Sequence, residues 1–281
     1  MRPVKVYIFG ASGFIGTSLS QQLIVSKIYH FRVLRGSEKI SLQGGIYSKD
    51  LTLDQAVSEI SITQTPLLVI NCIGLTRLDS DNCFPDMLKS NYEIPLRISK
   101  TIQKNPMIKL IHLSTELLKT NNQLNREQYK LTKKIGDEQF LLLEPNQYQI
   151  VYLPLVLSKE NKSSRLITDL QKMVNNNHSP ELVNPDLLIK FCTLHGIGKM
   201  ITQTILNFVS HGELSQFVEL STYCLMTKEI VELRRNILEC IGDPRKVVIQ
   251  RIRHSVSKEL QNVRQLDDEE MNEVLTVLEN L

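Results

Sequence analysis

The sequence predicts an α/β protein with a parallel sheet wound on both faces by helices, on three observations. Short apolar strands alternate with amphipathic helices about six times between Val4 and Leu157. The run Leu67 to Ile73 (LLVINCI) is apolar almost throughout, as a strand covered on both faces requires. A turn rich in small residues, Gly10-Ala-Ser-Gly13-Phe-Ile-Gly16, follows the first strand and opens the first helix.

Composition sets the frame. The chain has 281 residues, 42% hydrophobic and 22% charged, enough for one large domain or two unequal lobes. With 33 Lys+Arg against 30 Asp+Glu, the net charge of +3 argues against a nucleic-acid partner. The five cysteines are scattered without a C-x-x-C pair, which fits free thiols in a reducing compartment rather than disulfides or zinc. Lys5 leaves only Val6 to Phe9 as an uninterrupted apolar start, too short for a signal peptide. The longest uncharged stretch, Ile60 to Thr76, contains Thr, Gln, Pro and Asn, so no membrane span is expected. The expected location is the cytoplasm.

The elements follow in order. Val4–Phe9 reads as a strand, Thr17–Ser26 as a helix and His30–Leu34 as a second strand. After the apolar run at Leu67, a helix from about Phe84 to Gln103 should be kinked by Pro95. Lys109–Leu113 is a buried-type strand, Gln128–Leu143 a helix and Gln149–Leu153 a strand ended by Pro154. The rhythm then changes. Residues 1–157 are expected to form the dinucleotide-binding domain, with its sheet completed by about 189–220. Residues 158–188 and 221–281 are expected to form a smaller, discontinuous substrate lobe. A helix over Asp267–Leu281 should bury Met271, Val274, Leu275 and Leu278.

The glycine turn has the spacing G-x-x-G-x-x-G. Gly10 would make the tight turn, Gly13 would admit a pyrophosphate to backbone N–H groups, and Gly16 would let the helix pack closely. A turn that merely packs is the alternative, but the strand–turn–helix context favours a dinucleotide in a Rossmann-type fold. The second strand ends Val33-Leu34-Arg35, with no acid before Glu38 to bind ribose hydroxyls. Arg35 suits a 2′-phosphate, which favours NADP over NAD; a solvated surface arginine is the plain alternative. Asp50 could accept from an adenine amino group or simply cap a helix.

Tyr129 and Lys133, in Tyr129-Lys-Leu-Thr-Lys133, stand at i and i+4 on one helix face. There the ammonium would lower the phenol pKa and make the tyrosine a usable acid or base. Tyr129 is the one tyrosine of eight with a lysine at that spacing. The strand before it ends Ser114-Thr115-Glu116. A hydroxyl at a strand's carboxyl end sits where open α/β sheets bind ligands; a capping role for Ser114 or Thr115 is the plainer alternative.

Taken together, these residues resemble the extended short-chain dehydrogenase/reductase family, in the branch that works on nucleotide-activated sugars. The matches are GASGFIG, NCIG (Asn71 to Gly74), Asn91, LST (Leu113 to Thr115), YKLTK, YLPLVLS (Tyr152 to Ser158) and, more weakly, KFCTLHGIGKMI (Lys190 to Ile201). The resemblance implies Thr115, Tyr129 and Lys133 as the catalytic triad, with Asn91 helping a proton relay. It also implies a cofactor lined by Gly10, Ser12, Gly13, Phe14, Ile15, Gly16, Arg35, Asp50, Leu51, Cys72, Ile73, Gly74, Asn91, Tyr129, Lys133, Pro154 and Val156. A nucleotide-sugar substrate, a homodimer and a part in surface polysaccharide or deoxysugar synthesis are implied in the same way.

Departures narrow the activity. Thr115 and Tyr129 lie 14 residues apart, a short spacing that looks like the 4-ketoreductases of the family. Glu116-Leu117 supplies one carboxylate where the family's dehydratases carry Asp-Glu, which disfavours dehydration. Leu153-Pro154 stands where Arg-Pro is common. A reductase or epimerase of a nucleotide-linked keto-sugar is therefore expected, and a non-catalytic dinucleotide-binding relative is the alternative. The six histidines show no metal-ligand spacing, and no G-x-S-x-G elbow or P-loop is present. His112, inside a strand pattern, reads as a buried, satisfied histidine.

Overall fold

Alternation with a period of two explains how the first sheet buries both faces. A computed structural model describes residues 4–34, 47–75, 84–119, 127–158, 188–211, 222–226, 253–254 and 266–279. Its first sheet comprises β1 (Lys5–Phe9), β2 (His30–Leu34), β3 (Ser48–Thr52), β4 (Leu67–Asn71), β5 (Ile108–Thr115) and β6 (Tyr148–Leu153). The order is β3-β2-β1-β4-β5-β6 and every pair is parallel. That order reverses between β1 and β4, the switch point at which doubly wound sheets bind ligands.

Tyr7, Phe9, Leu67, Val69, Ile108 and Leu110 all face one side, where they pack with Ile94, Ile98, Ile102 and Phe140. The Tyr7 and Phe31 rings stack at 4.5 Å between centroids. By the same alternation Asn71, His112 and Ser114 continue that face at the carboxyl ends of β4 and β5.

The helices are α1 (Phe14–Val25), α2 (Leu53–Ser61), α3 (Phe84–Leu88), α4 (Ile94–Ile102) and α5 (Glu127–Phe140). Helix α1 starts three residues earlier than its apolar spacing suggested, because Gly13 serves as N-cap and Phe14 and Ile15 form the first turn. Sequence reasoning passed over strand β3, whose pattern is weak, and α2, whose amphipathic pattern is not. β3 buries only Leu51 and is an edge strand. Thr52 starts α2 through a capping box with Gln55, a T-x-x-Q signal that was readable.

Between α3 and α4 the chain makes a wide π turn, Lys89–Glu93, closed by the Ile94 N–H on the Lys89 carbonyl. Pro95 has no N–H to offer and its ring crowds the preceding turn, so the expected kink takes this form.

After Pro154 the chain enters a second sheet. β7 (Leu155–Leu157), β8 (Leu188–Thr193), β9 (Tyr223–Met226) and β10 (Arg253–His254) run in the order β10-β9-β8-β7. Strand 189–194, expected to complete the first sheet, is thus β8. It pairs in parallel with β7 and antiparallel with β9. The physical reason is the break at Pro154, which cannot donate to a ladder and hands β7 to new partners. Helices α6 (Leu194–His211) and α7 (Asp268–Glu279) follow. Helix α7 buries Met271, Val274 and Leu278 as expected, with Val277 in place of Leu275. The chain divides into one unit of Met1–Leu153 with Gly198–Val218 and another of Pro154–Ile197 with Glu219–Leu281.

Within the second unit, Glu270 is buried and accepts from the Thr193 and Tyr223 hydroxyls. Gly196 leaves the room that this carboxylate fills, since a Cβ there would lie 2.6 Å from Glu270 Oε1. His195 pairs with Glu269 at 2.7 Å, which gives that residue a structural partner. No helix among the described residues is long and apolar enough to cross a membrane.

Candidate active site

The glycine turn is built from backbone. Gly10 has φ +78°, a conformation that side chains disfavour, and a Cβ there would meet the Ile73 N–H nitrogen at 3.0 Å. Gly10 and Ala11 donate to the Val33 carbonyl, and Gly13 donates to the Gly10 carbonyl at 2.9 Å. Gly16 is packed so closely that a Cβ would overlap that same Gly10 carbonyl. Gly13 begins α1 without a side-chain cap, and the first turn carries no acidic residue. This cradle fits a dinucleotide diphosphate, because uncapped N–H groups at the positive end of a helix dipole favour an anion. Ser12, Phe14 and Ile15 are partly exposed around it, and Gly13 is open.

Side chains build the neighbouring part of the site. The register of β4 and β5 sets Asn71 beside His112. The Asn71 amide oxygen accepts the Ile73 N–H at 3.1 Å, so its NH2 faces His112 Nδ1 at 3.0 Å. His112 Nδ1 is therefore the acceptor, and the ring proton sits on Nε2, which donates to Asp137 Oδ1 at 3.0 Å. Ser114 donates to the other Asp137 oxygen at 2.6 Å. Burial and the charge on Lys133 push the His112 pKa down to about 4, so the ring is neutral. As the sequence suggested, His112 is buried and satisfied.

Lys133 lies in the same interior, 2% exposed. Its ammonium donates to the Leu113 carbonyl at 3.2 Å and lies 3.4 Å from His112 Nε2. Burial lowers its pKa to about 8, opposed by the negative charge of Asp137. The Cys72 thiol is pushed up to about 12 by burial and stays protonated near neutrality. Since the backbone of Cys72 and Ile73 abuts Gly10, Lys133 and the glycine turn occupy one end of the sheet.

Asn91 is fully buried. It pairs with both backbone groups of Leu75 at 2.8 and 3.1 Å and donates to the Thr132 hydroxyl at 3.1 Å. Both amide hydrogens are thereby committed, so the side chain holds the Gly74–Leu75 turn against α5. The π turn leaves the Asn91 carbonyl beside Gly136, where any Cβ would overlap it. Tyr129 is buried on the first turn of α5, one turn before Lys133.

Thr115 ends β5, and its hydroxyl accepts from the Leu117 N–H at 3.3 Å. That is a turn-forming bond of the kind the plainer reading expected. The remaining predicted positions belong to other elements. Asp50 pairs with buried Arg32 at 3.0 Å, and the cap of α2 that it could have supplied belongs to Thr52. Leu51 is buried in β3. Pro154 and Val156 belong to the second unit, with Val156 opposite Cys192. Arg35 lies outside the described residues, as does Glu38.

Sequence reasoning missed Asp137, Thr132 and the role of Ser114. One signal was available: Tyr129, Lys133 and Asp137 recur at i, i+4 and i+8, an acidic and a basic residue on a buried helical face.

The family described as the NAD dependent epimerase/dehydratase family matches residues 6–185. The enzyme WbmH of Bordetella bronchiseptica, solved with NAD+, superposes with a TM-score of 0.62 at 11% identity, covering 98% of this chain and 96% of that one. WbmG of the same organism, solved with NAD, gives 0.59 at 13% identity over 85% of this chain and 78% of that one. A UDP-glucuronic acid 4-epimerase from Bacillus cereus, also with NAD, gives 0.55 at 15% identity over 72% and 73%. No curated protein matches the sequence. At these identities the superpositions speak for the fold alone, a parallel sheet flanked by helices. With the family's pattern matching more than half of its length, the chain belongs to the NAD dependent epimerase/dehydratase family.

Proposed function

We propose that the protein is a nicotinamide-dinucleotide-dependent enzyme acting on a nucleotide-activated keto-sugar, as a reductase in the first place and an epimerase in the second. The observation that carries this is the placement of Tyr129 and Lys133 one turn apart on the buried face of α5, with Lys133 at the sheet end that holds the glycine cradle. When bound, the nicotinamide supplies or withdraws hydride at the sugar carbon. Tyr129 donates the proton to the oxygen where charge develops, or removes it in the reverse sense. Lys133 holds positive charge beside that phenol, and Thr115 hydrogen-bonds the same oxygen. Glu116 is the sole acid directly after Thr115, which speaks for reduction over dehydration. The second unit, with 158–188 and 221–281, would supply the sugar-nucleotide site; the family resemblance suggests a homodimer, and the scattered cysteines suggest the cytoplasm.

The solved neighbours quoted above carry NAD, so the preference for NADP rests on Arg35 and on the missing acid after β2. Titration of both dinucleotides against wild type and Arg35→Ala decides it. NADP must bind the wild type more tightly and lose that advantage in the variant, or NAD is the cofactor. The activity is tested by Tyr129→Phe, which keeps the ring and removes the proton. In a reductase assay with a nucleoside-diphosphate 4-keto-sugar, kcat should fall by about 10²–10⁴ with dinucleotide Kd nearly unchanged. A fully active Tyr129→Phe enzyme would end the proposal. Dinucleotide binding without turnover of any keto-sugar would favour the non-catalytic alternative.

A further inference from the structure

We propose that Asp137 is the positioning residue for Lys133: its carboxylate, oriented by Ser114 and His112, keeps the lysine ammonium charged and seated against the end of β5. The proposal rests on Lys133 serving the site described above. Asp137 is 4% exposed, and its two oxygens take the His112 Nε2–H at 3.0 Å and the Ser114 hydroxyl at 2.6 Å. A carboxylate held by two donors from β5 cannot swing away from that strand.

The orientation is over-determined. The Ile73 N–H sets the Asn71 amide, Asn71 sets the His112 tautomer, and the His112 Nε2–H sets the carboxylate. Each step is a single hydrogen bond whose reversal would set a buried donor against a donor or an acceptor against an acceptor. The row therefore connects a backbone group that abuts Gly10 to the countercharge of Lys133.

Among the described residues the titratable groups around Lys133 are few. Asp137 and Tyr129 lie one turn away on α5, His112 is on β5, and Cys72 follows β4. His112 is neutral and Cys72 is protonated near neutrality, so Asp137 is the negative charge that opposes the burial of the ammonium.

The test reads Lys133 directly. Protein carrying 13Cε,15Nζ-labelled lysine is titrated by NMR, with the Lys133 resonance assigned from Lys133→Met. Wild-type Lys133 should titrate near pH 8, below an ordinary lysine. Asp137→Asn should lower that midpoint by about 1–3 pH units, as expected when a nearby opposite charge is removed. Asp137→Glu should restore most of it. The alkaline limb of kcat should move by the same amount, so a one-unit shift loses about tenfold at high pH. In wild type, 15N-histidine spectra should show neutral His112 with its proton on Nε2 down to about pH 5.

An unchanged Lys133 midpoint in Asp137→Asn overturns the proposal. So does His112 found protonated on Nδ1 in wild type, a measurement that needs no variant to fold. If the enzyme assay fails but the NMR shifts appear, the catalytic reading is at fault and the positioning role stands. If turnover is present and the shifts are absent, the positioning role alone falls.

Discussion

The two halves of the site are made in opposite ways. The glycine cradle uses backbone and the absence of side chains: Gly10 and Gly16 matter for atoms they lack. The region around Lys133 uses buried polar side chains from β4, β5 and α5, each satisfied by the next. The first half is local, spanning a few residues. The second brings Asn71, His112 and Asp137 together across separations of 41 and 25 residues. An anion site can be built from N–H groups that any sequence possesses, whereas a group that must hold or lend a proton needs particular side chains in a dry place.

The comparison is broken most severely at the cradle. Gly16→Ala drives a methyl group into the Gly10 carbonyl, backbone against backbone, so neither partner can yield by rotating a side chain. A loss of at least about 3 kcal/mol is expected, together with loss of dinucleotide binding. Urea unfolding and calorimetric titration measure the two, and a variant as stable and as tightly binding as wild type would refute the close packing.

In the polar half, Asn71→Ala leaves His112 Nδ1 and the Ile73 N–H without partners. A loss of about 2 kcal/mol is expected, within the range for buried groups left unsatisfied. Because Ile73 abuts Gly10, dinucleotide Kd should rise as well; an unchanged Kd would show that the two halves are energetically separate.

The His112 pKa sharpens the contrast, since the cradle has no titrating side chain of its own. Folding holds His112 neutral with its pKa near 4, against an ordinary value of 6.5 in the unfolded chain. Between those values the unfolded chain binds more protons, so stability falls as pH drops from about 6.5 toward 4. A loss on the order of 1–2 kcal/mol by pH 4.5 is expected. His30, also depressed by burial, pulls in the same direction. Unfolding midpoints of wild type and His112→Gln should converge as the pH falls; parallel curves would contradict the neutral histidine.

The smallest effect is a control outside both halves. Thr52→Ala removes the side-chain cap of α2 and should cost about 1 kcal/mol with dinucleotide Kd unchanged. A change in Kd would mean that α2 communicates with the site.

By itself the sequence determined most of the first unit: the strand–turn–helix start, the alternating elements, the buried central strands and the glycine, tyrosine and lysine positions. These follow from spacing, because period two, period 3.6 and missing Cβ atoms act over a few residues. Edge strand β3 escaped because one buried residue in five makes no pattern. Tertiary structure alone decided that β8 joins a second sheet, since the choice of strand partner depends on the break at Pro154 and on residues elsewhere in the chain. It alone also decided that Asp50 pairs with Arg32, that Asp137 takes hydrogen bonds from His112 and Ser114, and that Lys133 reaches the same imidazole. A buried polar group must find its partner in three dimensions, and the residue that satisfies it carries no mark in the local sequence.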